Sequence, residues 1–348
     1  MGIIYFILLM SVIIIMHELG HLITAKIFNV YCYEFSLGMG PKLISKKWNE
    51  TVYSIRALPI GGFVAMAGED EDDRGIVVPY ERTIKGIDKW KQIIIMLAGV
   101  FMNFMLAWIV MSSVFLAEKV YVESPKPIVA GVMENSPAES AGFMEGDYIV
   151  KVTLNDGTVI KPDNFYDILP FTQMEKDEIT YTILRGEETL EFKVTPKFYE
   201  EDNVYLVGIL IPPGEIVEIN LLNAFKYGAS YLSDITKALF ISLVRLLSGK
   251  GLDQLSGPVG IYTVTKETAS LGISNFMMLI AVFSLNVGIF NLLPLPILDG
   301  GRALITLFEW ITDKQLNKTI ETVIMTIGWL LMISLMVFAT WQDISRLF

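Results

Sequence analysis

The sequence predicts a polytopic α-helical membrane protein with about four transmembrane helices, an inserted α+β domain and a membrane-associated β-hairpin. The 348 residues are 53% hydrophobic and only 19% charged. Long apolar stretches alternate with long polar ones, as in membrane proteins that carry a soluble domain. In addition, the central polar stretch contains short segments of alternating polarity separated by turn residues, a pattern typical of an α+β domain.

Four apolar stretches are long enough to cross a hydrocarbon core of ~30 Å as helices. We place them at about residues 3–30, 93–116, 276–298 and 322–340. Pro294 and Pro296 interrupt the third stretch near its end. Residues 221–247 are also apolar, but four charged residues break the stretch. The helical spacing of the apolar residues in this stretch predicts an amphipathic helix on the outer membrane face or against the bundle, rather than a fifth span.

The basic residues predict how the chain crosses the membrane. Residues 26–91, between the first two spans, contain ten Lys or Arg, and loops rich in these residues stay on the cytoplasmic side. We therefore expect the N-terminus and the polar region at about residues 118–275 to be extracytoplasmic. The net charge of −11 argues against nucleic acid as a partner, and the expected surroundings are a lipid bilayer.

Residues 51–68 predict a small β-structure beside the membrane. Residues 53–57 alternate between apolar and more polar side chains, and Pro59, Gly61 and Gly62 predict a turn before a second short strand. Two interpretations stay open. The strands form either an ordinary apolar hairpin or an exposed edge that pairs with an extended peptide.

The central polar region begins with a compact α+β domain at about residues 120–199. Ser136 and Pro137 open a short helix, and strands are predicted at 148–152, 179–184 and 190–195. The pattern Ser-Pro-Ala-x-x-Ala-Gly-x-x-x-Gly-Asp-x-Ile, which starts at Ser136, resembles a bacterial PDZ domain, a module that captures peptide ends by strand addition. A generic small α+β domain is the alternative.

The motif with the clearest chemistry is His17-Glu18-Leu19-Gly20-His21 in the first predicted span. Residues four apart share a helix face, so both imidazoles can bind one metal ion, and Glu18 can take a proton from the attacking water. This spacing is typical of zinc hydrolases. A chance match is the alternative. However, the chain has only two histidines, both in this motif, and ionisable groups within a span are costly and by default functional.

A catalytic zinc ion usually has a third protein ligand. No histidine remains for this role, and Asp299, after the third span, is the natural carboxylate. His17 lies 14 residues into a span that starts outside, which at about 1.5 Å per residue puts it in the inner half of the membrane. The third span also starts outside, so Asp299 can reach the same depth. An ordinary helix-ending Asp-Gly turn is the alternative.

Together, these motifs resemble the site-2 protease family, specifically the RseP-type bacterial intramembrane zinc metalloproteases. The resemblance covers nearly the whole chain. It rests on the His-Glu-x-x-His motif, on the internal PDZ-like domain and on the sequence Asn-Leu-Leu-Pro-Leu-Pro-Ile-Leu-Asp-Gly-Gly at residues 291–301. Shorter motifs of the family match at residues 59–64, 98–103 and 256–258.

The resemblance implies a zinc endopeptidase of the cell membrane that cuts single-pass membrane proteins. It implies that His17, His21 and Asp299 hold the zinc ion near the cytoplasmic side, with Glu18 as the general base. The implied substrates are membrane-anchored regulators such as anti-sigma factors, or remnant signal peptides. An upstream site-1-type protease usually makes a first extracytoplasmic cut in them.

The resemblance also implies substrate contacts. Asn286 is expected to hold an unwound substrate segment, and Gly61 and Gly62 to offer it an edge strand. Pro294 is a further candidate substrate-binding residue. Independently of the resemblance, an amide buried in an apolar span can either satisfy backbone groups freed by unwinding or form a helix–helix hydrogen bond. Both interpretations of Asn286 stay open.

The predicted organisation has four parts. Residues 1–117 form the first half of the membrane core, 118–200 the PDZ-like domain, 201–275 an amphipathic helical connector, and 276–348 the second half of the core. A catalytically silent PDZ-bearing membrane adaptor is the rival hypothesis, but an adaptor has no reason to keep two buried histidines and an acid. A metal transporter would need polar metal-binding residues in the second and fourth spans, which offer almost none.

Overall fold

The computed structural model describes residues 2–69, 76–173, 175–199, 204–247 and 255–346. The chain falls into two compact units. Unit 1 comprises Met1–Val114, Ala224–Leu239 and Leu243–Phe348. Unit 2 comprises Phe115–Asn223 and Phe240–Ser242.

The helices of the described chain include four that are long and apolar enough to cross a membrane. In chain order, the helices are α1 Gly2–Ile27, α2 Lys89–Glu118, α3 Pro137–Ala141, α4 Leu169–Thr172, α5 Ala224–Leu247, α6 Pro258–Ser270, α7 Ile273–Asn291, α8 Asp299–Thr312 and α9 Lys318–Ser345. The candidate spans among the described residues are α1, α2, α7 and Thr319–Ser345 of α9. They match the four predicted spans, and α5 is not among them, as predicted.

The third span ends earlier than the sequence predicts. Helix α7 stops at Asn291, and α8 begins only at Asp299. Pro294 and Pro296 lie between the two helices, and proline lacks the N–H that would continue a helix. Asp299 is therefore the first residue of a new helix, and α8 itself is not predicted by the sequence.

The β-structure of unit 1 consists of two long antiparallel strands, β1 Cys32–Trp48 and β2 Thr51–Met66. Its pairing differs from a simple hairpin between the two predicted short strands. Both halves of β2 pair with the first half of β1, since Phe35 lies opposite Tyr53 on one side and opposite Val64 on the other. The second half of β2 is thus an edge strand. The prediction missed β1, whose first half separates the two halves of β2.

Unit 2 is an α+β unit whose main sheet consists, in spatial order, of β6 Val159–Ile160, β5 Tyr148–Thr153, β7 Ile179–Arg185 and β8 Glu188–Val194. Alternate residues of β7 point into its core, where Ile179, Tyr181 and Ile183 are buried, as expected from the period of two in a strand. The strands of unit 2 are β3 Val120–Val122, β4 Gly131–Val132, β5 Tyr148–Thr153, β6 Val159–Ile160, β7 Ile179–Arg185, β8 Glu188–Val194, β9 Lys197–Tyr199, β10 Val204–Leu206, β11 Ile209–Leu210 and β12 Ile216–Glu218.

Unit 2 extends beyond residue 200, where the sequence predicts a helical connector. Residues 204–218 instead contain strands β10, β11 and β12, because each finds an antiparallel partner, in β9, β4 and β3 respectively. The helical part of the connector is α5 and α6. The PDZ-like assignment of residues 118–200 and the position of α5 on a membrane surface stay predictions.

Candidate active site

Three side chains from distant parts of the chain converge in unit 1. His17 and His21 lie one turn apart on α1, with their Nε2 atoms 3.2 Å from each other. Asp299 Oδ2 lies 3.0 Å from Nε2 of His17 and 3.4 Å from Nε2 of His21. The three ligand atoms are mutually within 4.8 Å, as a metal site requires. The structure thus brings together the three residues that the sequence predicts as metal ligands.

The chemistry of the cluster fits a zinc ion. The Nδ1 of His21 lies 2.8 Å from the main-chain oxygen of Ile95, which can only accept, so the hydrogen is on Nδ1 and Nε2 carries a lone pair. Asp299 Oδ2 is buried and has no hydrogen-bond donor among the described residues. The lone pairs on Nε2 of His21 and on Oδ2 of Asp299, 3.4 Å apart, repel each other unless a cation lies between them. Two imidazoles and one carboxylate are a ligand set that zinc takes in hydrolases.

Helix α2 approaches the two imidazoles so closely that no side chain fits between them. A Cβ atom added to Gly99 would lie 2.7 Å from Cε1 of His17 and 2.8 Å from Cε1 of His21. Asn103, one turn further along α2, contacts Nδ1 of His17 with its side-chain nitrogen at 3.2 Å. The sequence alone indicates no role for either residue, although both belong to the motif at residues 98–103.

The start of α8 holds Asp299 in place through a tight fold of the chain. Cβ atoms on Gly300 and Gly301 would collide with the main-chain oxygens of Leu292 and Leu295. The loop between α7 and α8 therefore lies directly against the first turn of α8. This contact explains why two glycines follow Asp299 in the sequence.

Glu18 lies on the wall of a cavity of about 350 Å³, together with the three members of the cluster. The edge-strand residues 63–66 of β2 line the same cavity. A Cβ atom on Gly62 would lie 3.3 Å from Cγ of Glu18 and 2.9 Å from the main-chain oxygen of Ser36. The second half of β2 thus lies against the predicted general base. Gly61, just before it, has a φ of +82°, which favours glycine.

An ion pair lies at the same cavity and joins β2 to α8. Arg302, one turn after Asp299, donates a hydrogen bond of 2.6 Å to Glu69, which follows the end of β2. Both side chains line the cavity. The pair therefore connects the segment that carries the carboxylate of the cluster with the segment that carries the edge strand.

The remaining predicted residues are not brought into this cavity. Asn286 lies on α7 and is half-buried, and its Oδ1 is buried without a hydrogen-bond partner among the described residues. Pro294 is exposed in the loop between α7 and α8. Neither residue lines the cavity around Glu18.

Comparison with known proteins finds one protein family and several relatives that match this chain. The family model of peptidase family M50 matches residues 5–335. The regulator of sigma-W protease RasP from Bacillus subtilis is 32% identical, and the match covers 99% of each chain. The zinc metalloproteases RasP from Bacillus licheniformis and Shouchella clausii are 31% and 30% identical, over 99% of this chain and 99% and 98% of theirs.

The match extends over nearly the whole chain and is not limited to the residues around the cluster. The family and its named relatives are zinc-dependent peptidases, in agreement with a cluster that fits zinc. The chain also has four helices that can cross a membrane among its described residues. It therefore belongs to peptidase family M50, the site-2 proteases, and is a multi-pass membrane zinc metalloprotease.

Proposed function

We propose that this protease cuts single-pass membrane proteins within or beside their transmembrane helix. The observation that carries the proposal is the location of the His-Glu-x-x-His motif. It lies on α1, a helix long and apolar enough to span a membrane, and not in the soluble part of the chain. A peptide bond that reaches this motif has to come from a segment at membrane depth.

In this proposal, His17, His21 and Asp299 hold the zinc ion. When bound, zinc acts as a Lewis acid that activates a water molecule and polarises the scissile carbonyl group. The Glu18 carboxylate, at the wall of the cavity, takes the proton of the attacking water and delivers it to the leaving amine.

The edge strand of β2 is the proposed substrate guide. A transmembrane helix keeps its peptide groups in internal hydrogen bonds, so it must unwind before it is cut. Residues 62–66 pair with β1 along one edge, and residues 63–66 line the cavity. An unwound segment can add to the other edge as a further strand, which satisfies its freed backbone groups. We include Gly61 and Gly62 in this guide.

Asn286 and Pro294 are proposed to contact the substrate outside the cavity. The buried Oδ1 of Asn286, without a partner among the described residues, can accept a hydrogen bond from a backbone N–H that unwinding has freed. The segment around Pro294 is not helical, so it leaves space for an unwound substrate segment beside the end of α7. Both residues would therefore act before the cut, when the substrate unwinds.

Unit 2 is proposed to select substrates. Its four-stranded sheet and the PDZ-like pattern at residues 136–149 suggest capture of a peptide end or exclusion of bulky substrates. A groove of about 70 Å³ lies between residues 168–173 and residues 205–209. We place the N-terminus and unit 2 outside the cytoplasm and the zinc site near the cytoplasmic side. An upstream site-1-type protease would then shorten the substrate outside.

The proposed substrates are membrane-anchored regulators such as anti-sigma factors, with remnant signal peptides as a second class. The Bacillus subtilis relative is named regulator of sigma-W protease RasP, and this name describes that protein alone. The support on this chain is the cavity beside an apolar span and the separate unit 2.

Zinc analysis of a matched pair of variants tests the ligand set. Asp299→Asn replaces the charged oxygen of the cluster with a weaker neutral one, and it should lower the zinc content of the purified protein. Asp313→Asn, at the exposed C-terminal end of the same helix, removes the same charge away from the cluster. It should keep one zinc ion per chain. Equal zinc content in both variants would remove Asp299 from the ligand set.

A further inference from the structure

One face of α2 lies against the two histidines of α1. Ile95, Gly99 and Asn103 are four residues apart, so they share this face. The Ile95 main-chain oxygen lies 2.8 Å from Nδ1 of His21, and the side-chain nitrogen of Asn103 lies 3.2 Å from Nδ1 of His17. Each imidazole is therefore met by α2 at the ring nitrogen that does not face the cluster. Gly99, between the two, leaves room for both rings.

We propose that Asn103 is a positioning residue of the metal centre that acts through His17. The proposal rests on the ligand set proposed above. With Oδ1 turned toward the ring, the Asn103 amide accepts a hydrogen bond from Nδ1–H of His17. This bond keeps the hydrogen on Nδ1 and leaves the Nε2 lone pair for the zinc ion. Asn103 then does for His17 what the Ile95 carbonyl does for His21.

The orientation of the Asn103 amide is inferred from the tautomer that His17 needs as a metal ligand, because the two ends of the amide have nearly the same shape. With Nδ2 against the ring, the amide donates, and His17 must carry its hydrogen on Nε2, where it cannot bind a cation. In that orientation, Oδ1 is buried without a partner among the described residues. A half-turn of the amide brings Oδ1 to Nδ1 and gives the tautomer that a metal ligand needs.

An ordinary helix–helix contact is the competing explanation for a buried Asn in a span. The hydrogen bond that joins α2 and α7 here does not use this side chain. Ser284 Oγ donates it to the main-chain oxygen of Asn103 at 2.9 Å, and any residue at position 103 would supply that oxygen. The Asn103 side chain, which is 0% exposed, is therefore free to serve His17.

The small number of histidines makes the test direct. The chain contains two. If it is labelled with ring-15N histidine and purified without a histidine tag, the ring nitrogens of His17 and His21 are the only labelled ones. NMR of the zinc-loaded wild type in detergent should show Nδ1 protonated and Nε2 metal-bound in both rings. Asn103→Leu keeps the volume and removes the acceptor. It should weaken zinc binding about 10- to 100-fold and change the His17 resonances, while those of His21 stay.

Two further variants separate positioning from folding. Asn103→Asp keeps an acceptor oxygen, so it should retain most of the zinc affinity. Ser284→Ala removes the hydrogen bond between α2 and α7 at the same level. It should lower thermal stability without changing zinc affinity or the His17 resonances.

The possible outcomes are distinct. Wild-type His17 with its hydrogen on Nε2, or Asn103→Leu with wild-type zinc affinity and unchanged His17 resonances, would overturn the proposal. If the resonances of neither ring change when zinc is added, the proposed ligand set is wrong as well. A negative result with the Asn103 variants alone would leave that ligand set intact. Should Asn103→Leu not fold, the wild-type spectrum and Asn103→Asp decide, since a large loss of zinc affinity in Asn103→Asp also contradicts the proposal.

Discussion

Replacement of Gly99 by alanine tests how closely α2 must approach the histidine pair. The added Cβ would lie 2.7 Å from Cε1 of His17 and 2.8 Å from Cε1 of His21, whereas ordinary contacts begin at 3.4 Å. Nε2 of His21 would be closer still, so the rings or the helices must move by more than about 0.7 Å, the difference between 2.7 and 3.4 Å. Distances from a metal to its ligands are fixed to about 0.2 Å. A shift of this size is too large for the cluster to keep its geometry.

The expected effect is a specific loss of the metal centre. Alanine is better than glycine inside a helix by up to about 1 kcal/mol, so α2 itself is not weakened. A misplacement of about 1 Å typically costs about 10²-fold in rate. We therefore expect both zinc affinity and cleavage to fall about 100-fold, which corresponds to about 2.8 kcal/mol at 1.4 kcal/mol per factor of ten.

Zinc affinity is measured by competition with a chelator, on protein purified in detergent. The matched control is Gly328→Ala on α9, where the nearest atoms to an added Cβ lie 3.9 and 4.0 Å away, in ordinary contact. This variant should bind zinc and cleave substrate like the wild type. Zinc binding by Gly99→Ala within a few-fold of the wild type would refute this prediction, since the close approach of α2 would then not constrain the metal centre.

Two further predictions concern buried acids outside the cluster. Burial alone raises the pKa of Asp147, but hydrogen bonds from Arg185 and a backbone N–H hold this pKa below its usual 3.8. The ion pair of Asp147 and Arg185 therefore stabilises unit 2 at neutral pH. This contribution is lost as the pH falls below 3.8. Arg185→Met should lower the stability of unit 2 at neutral pH, because it leaves the buried Asp147 carboxylate without its charged partner. Hydrogen exchange of the β7 amides, corrected for intrinsic rates, would contradict this if protection and its acid dependence were unchanged. Asp343 accepts a hydrogen bond of 2.7 Å from the Gly260 N–H at the start of α6. Asp343→Ala should therefore lower the free energy of unfolding by about 1–3 kcal/mol and Asp343→Asn by less, and equal thermal stability of the two variants in detergent would contradict this.

The sequence was sufficient to predict the centre of the site because its chemistry is local and scarce. His17 and His21 are the only histidines, and a spacing of four on a helix brings them together. Asp299 could be paired with them because the direction of each span fixes the depth at which its ends lie. The four spans followed from hydrophobic length alone.

The rest of the site depends on contacts between elements that are distant in the sequence. Nothing in the local pattern indicates that Gly99 meets both imidazoles, since a glycine in an apolar span fits many kinds of helix packing. The sequence does not predict helix α8, because its apolar residues follow the proline-containing segment and no residue with a typical N-cap pattern precedes them. Strands β11 and β12 are two and three residues long, and they form because β4 and β3, far back in the chain, pair with them.

Cleavage by the purified protein tests the central claim most directly. Single-pass test substrates with shortened outer domains are incubated with the protein in detergent, and mass spectrometry maps the products. We predict a cut inside or beside the hydrophobic segment, absent with Glu18→Gln although that variant keeps its zinc ion. Cleavage by Glu18→Gln at the wild-type rate, or cuts confined to soluble segments, would contradict the account.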